Sequence, residues 1–292
     1  MRNCARIKGF SSRLAAPREV EKRAFSILDD LSNTQKEIDD LMNRYFENLD
    51  SANPMFVKRI NLLAFIRKIL EVNSHFLKTF VNTYKLTEPV VSTVLARGIF
   101  ELHLVLLEAI SSDEGFLRVI IKSGDAYESF TEMLLQIMEQ KGDAAAIRAL
   151  YGELERFALW EKKFEKLLKT DFKSKVKRTP YLSFKGLADK HGLSGAYDFE
   201  YRLLSSFVHP SLLYLITTKS KDKTVSKEKR QLAKLNIERR KQLVKFVATY
   251  VALDLSSRTI SKVKKIIDSH LSLHVHSAGK VVSDSKPSLC ST

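Results

Sequence analysis

The stretch 88–110, EPVVSTVLARGIFELHLVLLEAI, decides the fold. Val90, Val91, Val94, Leu95, Ile99, Phe100, Leu102, Val105, Leu106, Leu107 and Ile110 spread apolar side chains over most of a helical circumference. A helix that is apolar all round belongs at the centre of a bundle. Thr93, Arg97, Glu101 and Glu108 nevertheless fall within ~80° of one another at ~100° per residue. Charges on a buried helix need partners, because an isolated buried charge costs several kcal/mol. Arg97 and Glu101, spaced i and i+4, are placed to satisfy each other in part.

Outward from this segment the chain reads as helix after helix. Pro17 opens a helical pattern to about residue 48, with Ala24, Ile27, Leu28, Leu31, Ile38 and Leu41 at helical spacings. Pro54 suits the first turn of a second helix, to about Tyr84. After the central helix, Ser111 and Glu114 have capping-box spacing and predict a helix over 112–140. Lys141-Gly142-Asp143 then separates it from a fifth helix reaching Lys169, whose aromatics Tyr151, Phe157, Trp160 and Phe164 have core spacing. A basic loop covers 170–182. A short helix runs from Ser183 to Gly192, and a longer one from about 195 to 209. Residues 217–228 read as a charged linker, and about 229–271 as a long helix or broken pair.

The expected fold is therefore all-α, a multi-helix bundle with long antiparallel helices. Its organisation is a disordered basic N-terminus (1–16), a single helical domain (17–272) and a disordered tail (273–292). With 10 Gly and 6 Pro in 292 residues, turn formers are too scarce for an all-β fold. The two cysteines, Cys4 and Cys290, make neither a disulfide framework nor a zinc-finger spacing, so a reducing, cytoplasmic setting is expected. The longest uncharged stretch, Leu203 to Thr218, is shorter than the ~18 residues of a membrane span and contains Pro210. No integral membrane segment is expected. The acid-free start with Arg2, Arg6, Lys8, Arg13 and Arg18 reads as a frayed basic tail, or alternatively as an organellar transit peptide.

A second polar stripe lies on the 195–209 helix. Phe199, Leu203, Leu204, Phe207 and Val208 form its apolar face, and Asp198, Arg202, Ser205, Ser206 and His209 gather opposite. Packing the two stripes toward each other around a shared cleft would partner both. His270, His274 and His276 have no carboxylate or cysteine at ligand spacing, so no metal is expected, and no phosphate loop or other cofactor motif is present.

ARGIFELHLVLLEAI at 96–110 and YRLLSSFVHPSLLYL at 201–215 resemble the signature helices of a helical domain-of-unknown-function family, numbered 5677. Arg97 and Glu101 match its Arg-x3-Glu helix. Tyr201, Ser205, His209, Pro210 and Ser211 match its second segment, and the likeness covers roughly residues 55–270. Arg202 and His209 are also similar to the Arg-x4-6-His motif of the HEPN superfamily, with Leu203 where those nucleases usually carry Asn, His or Asp. The resemblance implies a HEPN-like core. It also implies metal-independent ribonuclease or RNA-binding activity of a defence or toxin type, and a homodimer, because such enzymes combine two motifs and this chain has one.

The chemistry asked of those residues is simple. A histidine near neutral pKa exchanges protons with a ribose 2′-OH or the leaving 5′-oxygen. A guanidinium stabilises the extra negative charge on pentacoordinate phosphorus. His209 and Arg202 fit those roles, with Glu101 or Asp198 to orient them and a 2′,3′-cyclic phosphate as product. The net charge of +15 attracts polyanions. Lys173, Lys175, Lys177 and Arg178 before the motif, and Lys219, Lys221, Lys223, Lys227, Lys229 and Arg230 after it, are the expected phosphate contacts. The alternative is a non-catalytic helical scaffold or protein-interaction module in which the same charges are structural ion pairs.

Overall fold

A computed structural model describes residues 17–47, 54–84, 90–168, 183–208 and 227–283. Every element among them is helical, and no strand is present among the described residues. Helices α1 (Pro17–Glu47) and α2 (Pro54–Tyr84) both open on proline, which suits a first turn that has no use for the missing N–H. The central segment is α3 (Val90–Ser111), followed by α4 (Asp113–Lys141) and α5 (Ala144–Leu168). The short α6 (Phe184–Lys190) is capped by Ser183, whose hydroxyl accepts from Gly186 N–H. A helical turn, Ser194–Ala196, leads into a π-helical turn, Tyr197–Tyr201, and this continues as α7 (Arg202–Val208). The long α8 covers Lys227–Ser283 without interruption, further than the sequence pattern suggests.

The cap of α4 is one residue later than its sequence spacing indicates. Ser112, in extended backbone, accepts from Gly115 N–H, while Ser111 turns back to donate to the Glu108 carbonyl. At the other end Gly142 takes φ 70°, the left-handed conformation that favours glycine. Its N–H reaches back to the Glu139 carbonyl. Asp143 then accepts from Ala146 N–H, so α4 reverses directly into α5.

The chain divides into two compact units. The first comprises Met1–Asn48, Phe65–Phe100 and Glu200–Thr292. Its core takes one stripe of α1 (Ala24, Leu31, Ile38, Leu41, Tyr45), with Ile66, Leu70 and Phe80 of α2 and Val251, Leu255 and Val263 of α8. Two buried polar ties cross this apolar interior. Ser256 donates to Asn73 Oδ1 at 2.8 Å, and the Tyr45 hydroxyl meets His270 Nδ1 at 2.8 Å. Such ties satisfy groups that would otherwise be stranded in the core.

The second unit comprises Leu49–Ala64 and Glu101–Phe199. Its buried residues include Leu104 and Leu106 of α3, Phe116 and Val119 of α4, and Leu187 and Ala188 of α6. Gly115 is required by a close approach here. A Cβ at that position would lie 2.3 Å from the Glu108 carbonyl oxygen. Gly115→Ala gains about 1 kcal/mol of helix propensity but forces a backbone shift at the α3–α4 corner. We expect a net loss of about 1–2 kcal/mol, read as a lower urea midpoint; a midpoint equal to or above wild type would contradict it.

Candidate functional site

Arg97 lies half-buried on α3, and within the first unit its guanidinium stands over the Tyr201 ring, 5.2 Å from the centroid. Tyr201 is buried and also meets the Phe100 ring at 5.4 Å. A guanidinium over an aromatic face is attracted by the ring quadrupole, by about 0.5–2 kcal/mol depending on desolvation. Glu101, one turn further along α3, is half-buried. The two family-like segments thus meet through Arg97, Phe100 and Tyr201.

The π turn resets the side-chain directions of this segment. Between Tyr197 and Tyr201 the backbone closes a wider turn before α7 resumes α-helical geometry at Arg202. Tyr201 and Leu204 point into the core, whereas Phe199, placed on the apolar face by its spacing, is 45% exposed. Asp198 and Arg202 are exposed. Ser205, grouped with Arg202 by the wheel, instead has a buried hydroxyl with no hydrogen-bond partner among the described residues. Ser206 is exposed and donates to the Leu203 carbonyl at 2.7 Å. His209 lies outside the described residues, as do Lys173, Lys175, Lys177, Arg178, Lys219, Lys221 and Lys223.

Glu200, also in the π turn, is the one charge that interrupts the apolar face of this segment. Burial pushes its carboxyl up to about 7, the charge of Asp254 on α8 pushes the same way, and Arg258 opposes them. A carboxyl raised in the folded state leaves that state holding a proton the unfolded chain releases. Stability therefore falls as pH rises from the unfolded value, about 4.3, to about 7, and is flat above it. Glu200→Gln should remove this component. Urea midpoints at pH 5 and pH 8 should differ less in the variant than in wild type; an unchanged difference would count against the assignment.

The most elaborate polar cluster lies in the second unit, around Glu108. Its side chain is fully buried. Arg118 of α4 binds Oε1 at 3.1 Å, and Lys190 and His191, at the C-terminus of α6, reach Oε2 at 2.7 and 3.1 Å. Burial would raise this carboxyl, but hydrogen bonds from Lys190 and His191 and the charges of Lys190 and Arg118 outweigh it and hold it below the usual range. Arg118 also pairs with Glu114 at 3.1 Å. Sequence reading placed Glu108 on the polar stripe but not its partners, which lie 10, 82 and 83 residues away along the chain.

By length and composition α3 would reach across a membrane. Its Glu108, closed in by cations from two other helices, is instead what a helix in a protein core carries. Among the described residues no group of three or more His, Cys, Asp or Glu gathers as a metal site. An open groove of about 340 Å³ between α1 and α8, edged by Glu37, Asp40, Arg44, Lys264 and Asp268, includes no residue of the π turn or of the Glu108 cluster.

Residues 89–224 match the model of a Family of unknown function (DUF5677), which spans α3 through α7. Neither a curated protein nor a solved structure matches the chain.

Proposed function

We propose that the chain is a metal-independent, HEPN-like endoribonuclease of a defence or toxin type, acting on RNA as a homodimer in the cytoplasm. Arg202 and His209 carry the chemistry. The observation that supports this reading most is the exposed Arg202 on the first residue after a π turn. Such turns are rare and frequently occur at functional sites. This one lies inside the family-matched segment of a chain with net charge +15. On this reading His209 takes the proton of the ribose 2′-OH, and the 2′-oxygen attacks phosphorus. Arg202 stabilises the charge that develops, and as the P–O5′ bond breaks the 5′-oxygen takes a proton from the protonated His209 of the second copy. The second copy supplies the second motif.

Arg97 is then a positioning residue, holding Tyr201 next to Arg202. The basic runs 173–178 and 219–223 attract the phosphate backbone. The test is to incubate purified protein with labelled RNA in EDTA: cutting is expected, and intact RNA would reject the reading.

A second reading is favoured by the Glu108 cluster, whose charges are spent on one another. On that reading the chain is a non-catalytic scaffold whose ion pairs fix the packing. It predicts no cutting, and lower stability on replacing Arg97 or Glu101.

A further inference from the structure

The α4–α5 hairpin leaves large apolar side chains uncovered. Trp160 of α5, at core spacing, is 40% exposed, and on α4 Phe130 is 53%, Met133 48% and Ile137 37% exposed. The α4 residues form the more regular set. With the exposed Ala126 they are separated by four, three and four positions, the alternation of a coiled-coil seam. At ~100° per residue these four side chains occupy a strip about 60° wide. The residues that α4 buries, Ile121, Thr131 and Leu135, lie on the opposite side, where Gly124 lets the Phe157 ring of α5 approach. The strip thus faces away from the helix's own partner.

Ser129, Gln136 and Gln140 border the strip on one side, and Ser123, Tyr127 and Leu134 on the other. No charge occupies a seam or edge position between Ser123 and Gln140. The acids Asp125, Glu128, Glu132 and Glu139 lie more than ~100° from its centre. A polyanion would need cations along this face, and a basic helix would need acids at its edges. A second α4 needs neither.

We propose that the strip is the seam on which α4 of a second copy docks, antiparallel, about a twofold axis between Phe130 and Met133. Phe130 then meets Met133 of the other copy, and Ala126 meets Ile137, so a small side chain faces a large one. Lys122 and Lys141 stand on opposite edges, so the pair does not set them face to face. Lys122, held by Asp125 at 3.2 Å, comes instead to the α4–α5 corner of the other copy, where Asp143 supplies the opposite charge. The seam gives the homodimer of the ribonuclease reading its surface, and rests on that reading for what the dimer is used for.

Sedimentation of the full-length protein from low to high micromolar concentration is the test. A seam of about three helical turns is small beside the ~800 Å² per partner of a standard interface, so wild type should pass from monomer to dimer across that range. Met133→Glu puts a carboxylate in each half of the seam and should weaken the dimer at least about 10²-fold. Its exposed position leaves helical content unchanged. For the register, Ala126→Cys with Ile137→Cys, in a chain with Cys4→Ser and Cys290→Ser, should form a disulfide-linked dimer under mild oxidant, whereas Ala126→Cys alone should not. A wild type that stays monomeric, a Met133→Glu dimer as strong as wild type, or a covalent dimer from Ala126→Cys alone would each overturn the seam. A dimer through α4 in a protein that leaves RNA whole sinks only the nuclease. RNA cutting by a dimer that Met133→Glu leaves intact sinks only the seam.

Discussion

Glu108→Ala is expected to lower stability by about 3 kcal/mol, which for a chain of this size lowers the melting temperature by roughly 5 °C. The carboxylate is fully buried, with Arg118, Lys190 and His191 all directed at it. Deleting it leaves Lys190 and His191 without this counter-charge and Arg118 with Glu114 alone, and the Arg118 Nε is already buried with no partner among the described residues. Lys190 retains access to water and relieves part of the penalty. Glu108→Gln keeps the volume and one acceptor oxygen, so its loss should be the smaller of the two. The pH dependence separates this group from Glu200. A carboxyl depressed in the folded state contributes stability above the unfolded value, and that contribution is lost as pH falls below it. The acid limb of the wild-type stability profile should therefore flatten in Glu108→Gln. Thermal melts of the three proteins measure both effects, and a Glu108→Ala melt within a degree or two of wild type would show the cluster to be inert.

Arg202→Ala and His209→Ala are each expected to reduce RNA cleavage by at least about 10²-fold, without loss of helical content. On the proposed mechanism the guanidinium acts on charge that exists only as phosphorus becomes pentacoordinate, so its removal should appear in kcat more than in KM. Arg202 is exposed, so truncating it opens no cavity. Its effect on folding should lie within about 0.5 kcal/mol. Arg97→Ala is the useful contrast. It removes the cation over the Tyr201 ring and should lower stability as well as activity. Single-turnover cleavage with circular dichroism on the same samples separates the two, and full activity in Arg202→Ala would remove this residue from the chemistry.

The helices were legible in the sequence where a local signal exists: proline at the starts of α1 and α2, Ser183 ahead of α6, and Gly142 between α4 and α5. The apolar circumference of α3 predicted burial all round, but Val91 and Val94 are each 44% exposed, and Ile99, Phe100, Leu104 and Leu106 are the residues it buries. The partners of Glu108 were not legible, because Lys190 and His191 reach it only through tertiary packing. Nor was the π turn, since a wheel drawn at ~100° per residue assumes the α-helical repeat that Tyr197–Tyr201 departs from. That departure accompanies the exposed Phe199 and the buried hydroxyl of Ser205. Trp160 misled for another reason: aromatics at core spacing identify one face of α5 but not whether another layer covers it.

The ends of the RNA fragments test the central claim most directly. Wild-type protein and a 5′-labelled RNA in excess chelator should yield fragments ending in 2′,3′-cyclic phosphate. RNA left whole, or cut only after a divalent metal is restored and ending in 3′-hydroxyl, would contradict it.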